Sequence, residues 1–117
     1  MKKECWNGLL PIGSVVRLKE ADRSLVIVGR SQTPADDENH IYDYSGVIFP
    51  EGYLDKNNIA LFDHDDIEEI RYVGYMDLVQ RHFNETLEVI HAGLKSGEIT
   101  TDEVKEILEE MAAEKEG

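Results

Sequence analysis

The densest group of residues able to do chemistry is Asp63-His64-Asp65-Asp66, followed by Glu68 and Glu69. Hard cations are held by several carboxylate oxygens, and an imidazole beside them suits a transition metal. A calcium loop does not fit, because Glu68 stands where the sharp-turn glycine belongs. The plainer reading is a solvated turn, with Asp63 capping the amides that follow. Four histidines invite a catalytic reading: His40, His64, His82 and His91. His82 and His91 fall on one predicted helix but not at the i, i+4 spacing of an HExxH zinc site. No GxSxG elbow supplies a nucleophile, and neither GxGxxG nor GxxxxGK[ST] supplies a phosphate cradle. Cys5 stands beside Trp6 with no nearby base to activate it. We therefore expect no catalytic residue, no cofactor and no metal site.

Recognition chemistry is the remaining class. Tyr42, Tyr44, Tyr53, Tyr72 and Tyr75 concentrate in the middle of the chain. Tyrosine fills a core while its hydroxyl reaches a polar partner, and it is also enriched in protein contact surfaces, so both roles stay open.

The elements that position these residues follow from periodicity. Ile41 to Phe49 alternates with period two, Pro50 stops the strand, and Glu51-Gly52 turns the chain. Gly46 in mid-strand marks a bulge or a close backbone approach. Upstream of it, a loose leader ends at Leu9-Leu10-Pro11-Ile12-Gly13, and Ser14 to Lys19 reads as a half-buried strand. Leu25-Val26-Ile27-Val28 is a continuous apolar run that suits a central strand covered on both faces, paired antiparallel with the first. Gln32 to Asn39 is a loop. Short strands are predicted at Ile59 to Phe62 and Glu69 to Tyr75.

From Gly74-Tyr75 the period becomes helical. Val79, Phe83, Leu87, Ile90 and Leu94 recur every three or four residues, and Gly97 sits where a helix ends. Thr100 and Glu103 form the capping box of a second helix striped by Val104, Ile107, Leu108 and Met111. The expected fold is α+β: a small, mostly antiparallel β-sheet of about five strands followed by a C-terminal two-helix hairpin. The β-rich part spans 9–75, and the hairpin, 76–117, packs on it or binds a partner, the two forming one structural unit.

The 117 residues carry 25 acids against 12 bases, a formal net charge of −13. Such a surface repels nucleic acid and anionic lipid heads, so we expect neither as a partner. One cysteine excludes an internal disulfide framework. Met1-Lys2-Lys3 is not followed by an apolar signal-peptide core, and no run approaches the roughly 20 apolar residues of a membrane span. A cytoplasmic location is expected.

Several motifs occur in order: LPIGSVV at 10–16, VIVGR at 26–30, YDYSGV at 42–47 with FPEG at 49–52, FDHDDI at 62–67, and Gly74-Tyr75. Over about Leu9 to Phe83 this resembles the family catalogued as domain of unknown function 4176, small proteins of Gram-positive bacteria. Genes of that family often lie beside type VII secretion components and LXG-type toxins. The resemblance implies a non-enzymatic accessory role, an adaptor, chaperone or targeting factor for a secreted toxin or its small helical partners. It transfers no catalytic residue. An immunity protein that neutralises a neighbouring toxin is the alternative, its acidity matching a basic toxin surface; a metal-dependent enzyme using His64 with Asp63, Asp65 or Asp66 is the third. The expected partner-binding residues are Tyr42, Tyr44, Tyr53, Tyr75, Ile107 and Met111. The amphipathic hairpin is equally able to pair with its own copy as a homodimer.

Overall fold

The computed structural model of the protein describes residues 1–34, 40–98, 100, 102–106 and 109–110. Its five strands are β1 (Val15–Leu18), β2 (Ser24–Gln32), β3 (Tyr42–Ile48), β4 (Ala60–Phe62) and β5 (Ile67–Tyr72). They form one sheet in the order β4-β3-β2-β1-β5, every pair antiparallel. Helix α1 (Leu78–Ser96) follows. Residues 102–106 and 109–110 are also helical, so the second helix of the expected hairpin is present as a shorter segment.

The sheet cannot be flat. β4 and β5 lie at its opposite edges, about 19 Å apart across four strand spacings if flat. Yet only residues 63–66 join them, and fully stretched that link reaches about 18 Å. The link is not stretched, because His64–Asp66 is a 3-10 turn. The sheet must therefore curl toward closure, as a half-open barrel. Register shifts between Val15 and Val16, between Arg17 and Leu18, and between Ile27 and Gly29 supply the extra twist.

The curl gathers one apolar interior from all five strands: Val16, Leu25, Ile27, Tyr44, Phe62, Ile67 and Ile70, capped by Leu9 and Leu10. Gly46 meets the expectation of a close approach. A Cβ there would lie 3.1 Å from both the Phe62 ring and the Val26 carbonyl. The bulge itself falls one strand away, on β2.

Two expectations need correction. β2 is central in order, but its apolar run is not covered on both faces, since Val28 is 46% exposed. A half-open barrel buries only its inner face, and α1 reaches β2 at its far end, near Arg30 and Ser31. The leader is also not loose. Trp6 packs on the core, the Ile70 amide donates to the Met1 carbonyl (2.7 Å), and Lys3–Cys5 forms a 3-10 turn.

The helical signals hold. Gly97 closes α1 in the left-handed region at φ 84°. The Glu103 amide donates to Thr100 Oγ1 at 3.2 Å, as the capping motif requires. Asp77, unremarked in the sequence, caps α1 by accepting the Gln80 amide at 2.9 Å.

Candidate functional site

Asp43 is the hub of the polar chemistry in this fold. It stands in β3 next to Tyr44, and alternation sends the two side chains to opposite faces. Tyr44 points inward and is fully buried. Asp43 points toward α1. Its Oδ1 accepts from His91 Nε2 at 2.6 Å and from Lys95 Nζ at 2.6 Å, while Oδ2 accepts the His64 amide at 2.9 Å. Burial alone would raise the Asp43 pKa, but these three donors outweigh it and hold the carboxyl well below the usual carboxylate range. Lys95 is shifted the other way: burial would lower it, and the Asp43 charge raises it.

His91 carries the chain onward. Its Nδ1 lies 2.8 Å from Ser31 Oγ. With the proton on Nε2 facing Asp43, Nδ1 is left as the acceptor and the Ser31 hydroxyl donates to it. Ser31, His91 and Asp43 thus form a hydroxyl–imidazole–carboxylate chain, the set of groups that activates a serine nucleophile elsewhere. Ser31 also has φ 56°, a left-handed conformation uncommon for a non-glycine residue.

On the other side of the hub, the Asp43 amide donates to Asp63 Oδ1 at 3.0 Å, reciprocating the His64 amide bond. His64 reaches back under the barrel. Its Nε2 lies 2.9 Å from the Lys3 carbonyl and must carry the proton there, so Nδ1 accepts from the Tyr44 hydroxyl at 2.8 Å. That hydroxyl also accepts the Leu10 amide at 3.0 Å, and burial pushes its pKa upward. Both His64 nitrogens are thereby committed. Asp66 Oδ2 is committed too, accepting the Asp63 amide at 2.9 Å. The Asp63–Asp66 segment is a hydrogen-bonded turn, and among the described residues no three His, Cys, Asp or Glu are grouped to hold a metal ion.

Helix α1 meets the sheet through polar side chains. Asn84, Glu88, His91 and Lys95 follow one another at intervals of four, three and four, on one face of the helix. Asn84 accepts from Arg30 and donates to the Leu9 carbonyl at 3.3 Å. Glu88 accepts the Leu9 amide at 2.9 Å, and His91 and Lys95 grip Asp43. No buried polar side-chain atom among the described residues is without a partner. The expected apolar stripe lies beside this polar one. Phe83, Leu87, Ile90 and Leu94 line a cavity of about 260 Å³ with Ile41, Val104 and the end of β2. Val104 is contributed by the second helical segment.

A family model described as Domain of unknown function (DUF4176) matches residues 9–83. The chain belongs to that family. No curated protein and no solved structure matches it. In this DUF4176 protein the matched region supplies Ser31, Asp43, Tyr44, Asp63 and His64, whereas Asn84, Glu88, His91 and Lys95 lie past its end. The two stretches that looked most distinctive in the sequence, YDY at 42–44 and DHDD at 63–66, turn out to be hydrogen-bonded to each other.

Of the residues expected to bind a partner, the four that the structure describes differ in exposure. Tyr44 is fully buried, its ring inside the barrel and its hydroxyl tying the leader to His64. Tyr42 is half-buried and packs against His40 at 4.2 Å between ring centres, the rings tilted by 42°. Tyr53 and Tyr75 are 63% and 73% exposed, as a contact role needs. Ile107 and Met111 lie outside the described residues. Sequence reasoning missed Ser31, Asp43 and Lys95. Only the polar spacing 84-88-91-95 carried a signal, and the apolar stripe next to it drew the attention instead. Among the described residues no helix is long and apolar enough to cross a membrane.

Proposed function

We propose that this protein is a non-enzymatic accessory factor that binds a protein partner, an LXG-type toxin or one of the small helical proteins secreted with it. One observation carries the reading: the start of α1 leaves large apolar side chains in solvent, while farther along the helix Leu87 packs on the core and Ile90 is buried. Tyr75, Leu78 and Val79 are 73%, 73% and 70% exposed and adjoin in sequence at the start of α1. Large apolar side chains exposed close together in sequence on a strongly charged protein favour a protein contact. The Ser31–His91–Asp43 chain fits a non-enzymatic role as well, because it ties β2, β3 and α1 together with every donor matched.

The test is affinity purification of a tagged copy from the native host, with mass spectrometry and light scattering on the eluate. Recovery of a toxin or secretion component, lost in a Tyr75→Ser, Leu78→Ser, Val79→Ser variant with an unchanged circular dichroism spectrum, is the expected result. Recovery of the protein alone, as monomer or homodimer, would sink the proposal. The net charge of −13 supports an immunity protein as the second reading. Co-expression separates them: an immunity protein rescues growth against the neighbouring toxin, whereas an adaptor raises the toxin's yield or export.

A further inference from the structure

Arg30 is a cation that the fold buries beside α1, with the Glu88 charge acting on it from a distance. The residue is 9% exposed, and among the described residues no carboxylate pairs with it. Such burial is unfavourable to charge, and it pushes the guanidinium pKa down. A guanidinium has five N–H donors. Here Nη1 donates to Asn84, and Cζ lies over the Phe83 ring, 5.7 Å from its centre. Asn84 is itself buried and anchored to the Leu9 carbonyl, so the guanidinium is held in place with donors to spare.

Arg30 also lines the cavity beside α1, whose other walls are mostly hydrocarbon: Ile41, Phe83, Leu87, Ile90 and Leu94. A largely apolar pocket with one fixed polar group is the general form of a small-ligand site. The volume, about 260 Å³, holds about nine groups the size of a water molecule, whose share of liquid volume is about 30 Å³. A methylene is of similar size. The two oxygens of a carboxylate match two parallel guanidinium N–H donors.

We propose that this cavity binds a medium-chain fatty carboxylate, its acyl chain among Phe83, Leu87, Ile90 and Leu94 and its carboxylate on Arg30. The ligand sets a carboxylate on the guanidinium and fills the space in one step. Neither group alone does both, so a neutral chain of equal length leaves the guanidinium donors unused and a short carboxylate leaves the cavity unfilled.

The test is titration calorimetry on the full chain with decanoate, decanol and acetate. Decanoate is expected to bind about tenfold to a hundredfold more tightly than decanol, the range of a charge-assisted hydrogen bond, and acetate not measurably. Arg30→Met should bring decanoate down to the decanol level without changing decanol. Leu94→Trp, which fills the cavity and leaves Arg30 intact, should abolish both. The wild-type comparison of decanoate with decanol keeps the proposal open to refutation even if Arg30→Met fails to fold. Equal binding of the two ligands, binding of neither, or a decanoate preference that survives Arg30→Met would each overturn it. So would capture of a peptide with an apolar residue and a free C-terminal carboxylate where decanoate does not bind, which would assign the cavity to protein termini.

Discussion

The barrel and the helix are held by opposite means. The barrel closes around mostly apolar side chains, and the buried Tyr44 hydroxyl among them is matched to an amide and an imidazole. Helix α1 is fastened by Asn84, Glu88, His91 and Lys95, each on a named polar atom of the sheet or leader. Apolar burial is non-directional and grows with area, so it secures a core without fixing one geometry. Hydrogen bonds contribute less each, but they fix position and leave the neighbouring apolar stripe free for a cavity and an exposed patch. The region that decides stability and the region that offers surfaces are therefore different.

The difference can be broken at the barrel. Ile27→Ala removes a fully buried side chain from the middle of β2 and should cost about 2 to 5 kcal/mol, with urea unfolding monitored at Trp6 and at the helix shifting together. If helix signal and barrel signal separate, the barrel does not set global stability.

It can be sharpened at the hub. Asp43→Asn keeps the shape and deletes the charge that His91 and Lys95 grip, for about 1.5 to 3 kcal/mol. Amide exchange should rise through α1 while β1, β2 and β5 stay protected. Acid should do the same to the native protein. The Asp43 pKa is depressed on folding, so its contribution is complete above the unfolded value of about 3.9 and fades as the pH falls toward the folded one. Loss of helix protection setting in below about pH 4 in the native protein, and absent from Asp43→Asn, is the expected profile. Coincident loss in both would assign the acid response elsewhere.

The smallest effect belongs to Ser31. Ser31→Ala should cost about 0.5 to 1.5 kcal/mol, one hydrogen bond at the edge of the hub. A serine that only clasps is inert toward a fluorophosphonate; covalent labelling of Ser31 that disappears in His91→Asn would instead make the chain a catalytic one.

Much of this architecture is legible in the sequence because local rules decide it. Alternation from Tyr42 to Ile48, the stop at Pro50, Gly97 at the helix end and Thr100 ahead of Glu103 all act within a few residues. What was not legible depends on separation. Ser31, Asp43 and His91 meet only because a bulged, curled sheet brings β2 and β3 under α1, and no spacing rule spans those intervals. Apolar periodicity along α1 was read correctly as a stripe. Leu87 and Ile90 of that stripe pack inside, beside the polar side chains that anchor the helix, and the stripe also lines the cavity.

The strand order also has a consequence for how the chain comes off the ribosome. β1 has two neighbours, β2 and β5, and the second arrives only after residue 67. Until then the nascent protein is a meander of β1 to β4 with an open edge along Val15–Leu18, able to accept any passing strand. Synthesis of β5 ends that exposure, and the pairing of Ile70 with Met1 then joins the leader to the last strand the sheet requires.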